Sequence, residues 1–206
     1  MVLLDSFELL VDGESVLLEL PAQRLLAFLA LQDRPVLRAY AAGTLWFDAT
    51  ESHALGSVRS ALWRLRQHGF ELVEATSRQL RLTPGVAVDL HEALALAHGL
   101  LAGSARLDEV DLDRPELSGE LLPGWYDDWV LNERERFHDL RLHALESLCV
   151  QLTEMGEFAK AMEAGLAAVK GEPLRESAHR ALIKVDLAEG NEAEALRRYR
   201  RYRRLV

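Results

Sequence analysis

The sequence contains a single cysteine, Cys149. One thiol makes no disulfide within the chain and cannot complete a cysteine-rich zinc site, so a disulfide scaffold and a zinc module are both excluded. Long apolar runs are missing too: charges interrupt every stretch before the roughly 18 to 20 residues that a bilayer-spanning helix needs. The start, Met1-Val-Leu-Leu-Asp5, lacks the basic opening and apolar run of a secretory signal. A reducing cytoplasm is therefore the expected location, with no membrane partner. Positive charge is scarce, with 24 Lys+Arg against 33 Asp+Glu and a net charge of −9. Such a chain is no general binder of polyanions, and any nucleic-acid contact must come from a local basic patch. There is no His-x-x-x-His pair, Gly-x-Ser-x-Gly elbow, glycine-rich phosphate loop or Rossmann fingerprint. The expectation is a protein that is not an enzyme, with no catalytic residue, no cofactor and no metal ligand.

What is present is 206 residues, 49% of them hydrophobic, enough for one large domain or two small ones. Phe7, Leu9 and Val11 alternate, then Val16, Leu18 and Leu20 do so after Asp12-Gly13, which predicts a hairpin. Pro21 suits the first turn of a helix, and Leu25, Leu26, Phe28 and Leu29 continue it to about Asp33. A short extended link at Pro35-Val36 leads to a second helix, about Arg38 to Trp46. A third runs from Glu51 to His68 and is closed by Gly69. Residues 70–82 predict a second hairpin with Thr76-Ser77-Arg78-Gln79 at its tip. Val86 and Val88 suggest a last strand, and Asp89 a cap for a helix over Leu90 to Leu101.

Composition changes at Gly103. Asp108, Glu109, Asp111, Asp113, Glu116 and Glu120 face Arg114 alone, which reads as a solvated loop. From about Trp125 onward everything reads as helix, with Phe137, Leu140, Ala144, Leu148 and Leu152 forming one stripe of a long helix from about Asn132 to Met155. Leu148, Gly156, Ala159 and Ala161 recur 34 residues later as Leu182, Gly190, Ala193 and Ala195. That period resembles the tetratricopeptide repeat, a helix pair that needs stacked neighbours to bury its apolar face. The fold class expected is mainly α with small β elements. Residues 1–90 form an N-terminal winged helix-turn-helix, and residues 91–206 an α-helical tetratricopeptide-like domain with an acidic loop over 103–123.

The third helix carries the functional signal. Leu55, Val58, Leu62 and Leu65 make one stripe for the core, while His53, Ser57, Ser60, Arg64 and Gln67 lie opposite. Trp63 is beside them, with Arg59 and Arg66 at the margins. These acid-free side chains hydrogen-bond and stack, as contacts to base edges and phosphates require. Helix-turn-helix geometry puts such a helix in the major groove, and Arg78 at the hairpin tip within reach of flanking backbone. Against this, residues 1–91 hold 8 Lys+Arg and 11 Asp+Glu, a net of −3, so affinity for arbitrary DNA should be weak and salt-dependent.

Three segments then resemble a known family: Pro21-Ala-Gln-Arg-Leu-Leu-Ala-Phe-Leu-Ala-Leu31, Ala61-Leu-Trp-Arg-Leu-Arg66 and Leu122-Pro-Gly-Trp-Tyr-Asp-Asp-Trp-Val130. Arg134-Glu-Arg136 and Glu172-Pro-Leu-Arg-Glu-Ser-Ala-His-Arg180 do so as well. All look like Streptomyces antibiotic regulatory proteins, which join a winged helix to a bacterial transcriptional activator domain. The resemblance implies binding to repeats in double-stranded promoter DNA, self-association as a dimer through the helical domain, and recruitment of RNA polymerase holoenzyme in the bacterial nucleoid. It implies DNA contacts at Ser60, Trp63 and Arg64 in the groove, with Arg59 and Arg66 on phosphates; Ser57 on the same helix face is a further expected DNA contact, and Arg38 and Arg78 further expected phosphate contacts. The chain departs from the family in two ways. Members usually continue past the last basic helix, whereas this sequence stops at Leu205-Val206, and Ala61 and Trp63 stand where many relatives place polar side chains. The competing reading is a tetratricopeptide-like adaptor whose winged helix contacts protein, and a weaker one is a ligand sensor using the repeat groove.

Other features read as structural. Arg197-Arg-Tyr-Arg-Arg-Tyr-Arg-Arg204 is the most basic stretch and reads as a repeat helix with cations near its C-terminal end, free to pair with the acidic loop. Trp125 and Trp129 share a helix face and read as a staple onto the helical bundle. Adjacent Asp127 and Asp128 point apart and make a poor metal clamp.

Overall fold

A computed structural model describes residues 1–32, 34–107 and 110–206. The chain divides into two compact units: Met1–His91 with Leu121–Arg134, and Glu92–Glu120 with Glu135–Val206.

In the first unit, β1 (Leu9–Val11) and β2 (Glu14–Val16) pair antiparallel, with Leu9 opposite Val16. Asp12 and Gly13 both adopt positive φ, 53° and 85°, the backbone a two-residue hairpin requires. The helices α1 (Leu20–Ala30), α2 (Arg38–Leu45) and α3 (Glu51–Gln67) follow, with β3 (Val36–Leu37) before α2. Helix α1 ends at Ala30, short of the predicted end at Asp33, which itself lies outside the described residues. A hairpin of β4 (Val73–Ala75) and β5 (Gln79–Leu82) closes the unit in a sheet of order β3-β5-β4. Leu25, Leu26, Phe28 and Leu29 of α1 meet Val58, Leu62 and Leu65 of α3 and Leu80 of β5 in one core. Each fully buried leucine there contributes about 1.5–3 kcal/mol.

No strand forms at Val86 and Val88. The Asp89 carboxylate instead accepts from the Leu3 amide at 2.9 and 3.0 Å, the Leu4 amide at 3.0 Å and the Leu90 amide at 2.8 Å. The terminal ammonium donates to Ala87 O at 2.6 Å. Side chain and terminus thus satisfy the groups that a strand ladder would have used.

The segment Leu121–Arg134 belongs to this first unit, not to the helical half that its composition predicts. Leu121 bridges Leu4, and the Leu122 amide donates to Leu3 O at 2.8 Å. The tight turn needs positive φ at Leu122 (45°) and Gly124 (80°). Its carbonyls converge on one guanidinium: Arg134 donates to the carbonyls of Leu121 at 2.7 Å, Trp125 at 3.0 Å, and Leu122. Trp125 stacks on Phe7 at 5.8 Å, and Trp129 meets Phe28 edge-on at 5.5 Å. The predicted staple therefore holds the segment to the winged helix rather than to the bundle. Asp127 pairs with Arg24.

The second unit takes α4 (Asp89–Leu101) from Glu92 onward, α5 (Pro115–Ser118), most of α6 (Asp128–Glu154), α7 (Phe158–Gly171), α8 (Glu176–Ala188) and α9 (Glu192–Tyr202). The acidic stretch keeps Asp111, Asp113 and Glu120 exposed, as a solvated loop would, but its apolar side chains are not solvated. Leu117 is buried on α5, and Leu107, Val110 and Leu112 are partly buried against the same core. Asp108 and Glu109 lie outside the described residues. The stretch is amphipathic: Val110, Leu112 and Leu117 turn to the core while Asp111, Asp113 and Glu120 stay exposed, so burial and solvation are met together.

The predicted 34-residue period appears as equivalent turns at Gly156 (φ 78°) and Gly190 (φ 88°), a left-handed conformation that glycine adopts without strain. In the Pro-Leu-Arg-Glu-Ser segment, Arg175 Nε and Ser177 Oγ both donate to Glu146 Oε1 of α6, at 2.6 and 2.5 Å. The bond to Glu146 also raises the Arg175 pKa above its ordinary value. Cys149 is buried on α6, and loss of solvation pushes its thiol up to about 11, so it stays protonated and unreactive near neutral pH.

Helix α7 depends on a glycine for its closest approach. A Cβ at Gly165 would lie 2.5 Å from Leu182 Cδ2, 2.9 Å from its Cγ and 3.1 Å from Cys149 Sγ. Gly165→Val should therefore destabilise the unit by about 2–3 kcal/mol through overpacking, despite better helix propensity. Urea unfolding of the two proteins measures this, and an unchanged midpoint would contradict such close packing.

Candidate nucleic-acid interface

Helix α3 carries two faces set by its 3.6-residue period. Ala54, Val58, Ala61, Leu62 and Leu65 are buried. Ala61 is 0% exposed, so it is a core residue; its methyl allows close helix packing, and it is not a base-facing position. The outer face carries the predicted groove residues. Ser60 is exposed and donates to Gly56 O at 3.1 Å, while half-buried Ser57 donates to His53 O at 3.2 Å. These bonds leave both hydroxyl oxygens able to accept from a ligand donor. Trp63 is 61% exposed, a large aromatic surface with no core to fill. Arg59 and Arg66 are exposed, and neither pairs with a carboxylate among the described residues.

Arg64 differs from both. Its Nη1 pairs with Glu19 Oε2, just before α1. The acid-free character predicted for this ridge therefore holds for the outer face of α3 beyond Glu51 in its first turn, but a neighbouring element adds a carboxylate. Arg38, expected to contact phosphate, is turned partly inward: its Nε donates to Thr76 O at 2.7 Å and its amide to Arg78 O at 2.8 Å. It braces the wing with one edge of its guanidinium. Arg78 is exposed at the wing tip, where Thr76 Oγ1 accepts from the amides of Arg78 and Gln79 at 3.2 and 2.9 Å.

These side chains share one open groove of about 1100 Å³. Ser57, Arg59, Ser60, Trp63, Arg64, Arg66 and Arg38 all line it; Arg78 lies outside, linked to it through the backbone of Arg38. Trp46, His53 and Pro21 line it as well. Sequence reasoning gave Trp46 and Pro21 no part in the site, since neither lies on the α3 wheel. The groove presents guanidinium, hydroxyl and indole groups, which suit phosphates and base edges rather than bond-making chemistry. Among the described residues, no group of three or more His, Cys, Asp or Glu is placed to hold a metal ion.

Comparison with known proteins agrees with this architecture. The family model of the bacterial transcriptional activator domain matches residues 63–206. The regulatory protein AfsR of Streptomyces coelicolor is 31% identical over 206 aligned positions, covering 95% of this chain and 21% of that protein. The chain thus spans a small part of that relative's length. The structure of Mycobacterium tuberculosis EmbR in complex with a low-affinity phosphopeptide superposes with a TM-score of 0.77 at 23% identity, over 98% of this chain and 57% of that one. That likeness shows the fold, a winged helix followed by a helical domain. The chain belongs to the bacterial transcriptional activator domain family, a family of transcription regulators and not of enzymes.

Proposed function

We propose that this chain is a sequence-specific DNA-binding transcriptional activator that binds promoter repeats and recruits RNA polymerase holoenzyme. The observation that carries the reading is the exposed α3 face, where Ser60, Trp63, Arg59 and Arg66 line one groove with Arg64. Arg64 and Ser60 read base edges, with Trp63 packing against them, and Ser57 supports that contact. Arg59 and Arg66 hold phosphates beside the helix, Arg38 sets the wing, and Arg78 holds flanking backbone. The helical unit supplies the surfaces for polymerase and for a second copy in a dimer. Two copies on adjacent repeats raise affinity through effective concentration, which an N-terminal segment of net charge −3 over residues 1–91 requires. The site of action is the bacterial cytoplasm, at the nucleoid.

A titration of matched and scrambled duplexes tests the assignments. Arg64→Ala should lose about 1–3 kcal/mol of discrimination between them. Arg78→Ala should weaken both alike and lower the magnitude of the salt slope by about 1. Equal loss on both duplexes for Arg64→Ala would contradict its base-reading role. The alternative, an adaptor whose winged helix binds protein, draws support from the Glu19–Arg64 pair, which already occupies one of the groove cations. That reading expects no sequence preference at all.

A further inference from the structure

The Glu19–Arg64 pair links two elements far apart in the chain. Glu19 precedes α1, and its side chain makes no cap bond to that helix. Its side chain is 64% exposed and that of Arg64 41% exposed, so the pair sits at the surface of the groove that Arg64 lines. A surface pair of this kind adds little to folding stability. Its geometry matters more. Glu19 takes Arg64 at Nη1, and a guanidinium has five donors in a rigid plane. The Nε–Nη2 edge remains, and such an edge meets guanine O6 and N7 in a bidentate contact.

We propose that Glu19 is a positioning residue for sequence readout: it fixes the Arg64 guanidinium with one edge turned to the base, while its charge repels phosphate. This role rests on the DNA-binding reading above. A free arginine settles on phosphate as readily as on guanine. One held by a carboxylate has less side-chain entropy left to lose when it meets its base. Phosphate, in contrast, must approach against a fixed negative charge. Glu19 thus weakens binding to arbitrary DNA and sharpens the choice of site.

The test is Glu19→Gln in wild-type and Arg64→Ala backgrounds, titrated against the duplex selected by the wild-type chain and its scramble. In the wild-type background, affinity for the selected duplex should fall about 3- to 10-fold, as part of the discrimination by a bidentate pair is lost. Affinity for the scramble should rise about 2-fold as a repulsive charge is removed. In the Arg64→Ala background the ratio of the two affinities should not change. Equal gains on both duplexes would reduce Glu19 to a repulsive charge and overturn the proposal, as would a ratio that shifts equally without Arg64. A wild-type chain with no preference would overturn the DNA reading itself. A wild-type preference that Glu19→Gln leaves intact would overturn only the role of Glu19.

Discussion

Arg198→Ala is expected to cost the helical unit about 3–5 kcal/mol, lowering its melting temperature by more than about 10 °C. Arg198 belongs to the most basic stretch of the chain, yet it is not a surface cation. Its Nε donates to Asp186 Oδ2 at 2.8 Å, and its Nη2 lies 3.4 Å from Met162 Sδ. Asp186 is 2% exposed, so truncating the arginine leaves a carboxylate buried without its partner. Arg200, on the same helix but exposed, provides the comparison: Arg200→Ala should change stability by no more than about 0.5 kcal/mol. Replacing both members of the buried pair, as Asp186→Leu with Arg198→Met, should recover most of the loss, since the desolvation cost of both charges disappears. Chemical unfolding monitored by circular dichroism reads all four proteins. An Arg198→Ala variant no weaker than Arg200→Ala would mean that α9 does not use this pair. The neighbouring bonds favour the structural role. Arg197 pairs with Glu194, Tyr202 donates to Leu174 O at 3.3 Å, and its ring lies 4.4 Å from that of buried His179. The described partners of Arg197 and Arg198 are thus within the repeat and not in the acidic stretch.

Arg134→Ala is expected to cost the first unit about 3 kcal/mol or more. The guanidinium supplies donors to the carbonyls of Leu121, Leu122 and Trp125, and both leucines are buried. The Leu122 carbonyl keeps the Trp125 amide as a donor at 3.2 Å, but those of Leu121 and Trp125 lose theirs, and a buried acceptor without a donor costs about 1–3 kcal/mol. The backbone there cannot turn to new partners, because positive φ at Leu122 and Gly124 already fixes the turn. Arg134→Lys keeps the charge but not the planar fork, so it should recover less than half of the loss. Release of the turn also frees Trp125 from Phe7 and Trp129 from Phe28, which should red-shift tryptophan emission at denaturant concentrations where the wild-type protein is still folded. Full stability in Arg134→Ala would show that the turn holds without its clamp.

Local signals made most of the elements legible. Asp12-Gly13 between alternating segments, the apolar stripe of α3 and the 34-residue recurrence of Gly156 at Gly190 each depend on residues close in sequence or on a strict period. The misread parts depend on partners remote in the chain. Leu121–Arg134 is rich in aromatics and helical in its second half, but its position is set by Leu3, Leu4, Phe7 and Phe28, about a hundred residues earlier. The acidic stretch looks solvated because its charges outnumber Val110, Leu112 and Leu117, and only the core shows that those three have somewhere to go. On the candidate interface, the α3 wheel identified the exposed face correctly. It could not place Glu19 on Arg64, or turn Arg38 towards the carbonyl of Thr76. Both contacts arise from packing between elements, and no local pattern encodes them.

The most direct test of the account is selection from random-sequence duplexes by the intact chain at low and moderate salt, run beside a variant with Arg59, Arg64 and Arg66 replaced by alanine. The wild-type chain is expected to enrich a defined, repeated element at both salt concentrations, and the variant to enrich none while melting at the wild-type temperature. A wild-type pool that stays random even at low salt, or a variant that recovers the same element, would contradict the claim that the outer face of α3 reads DNA.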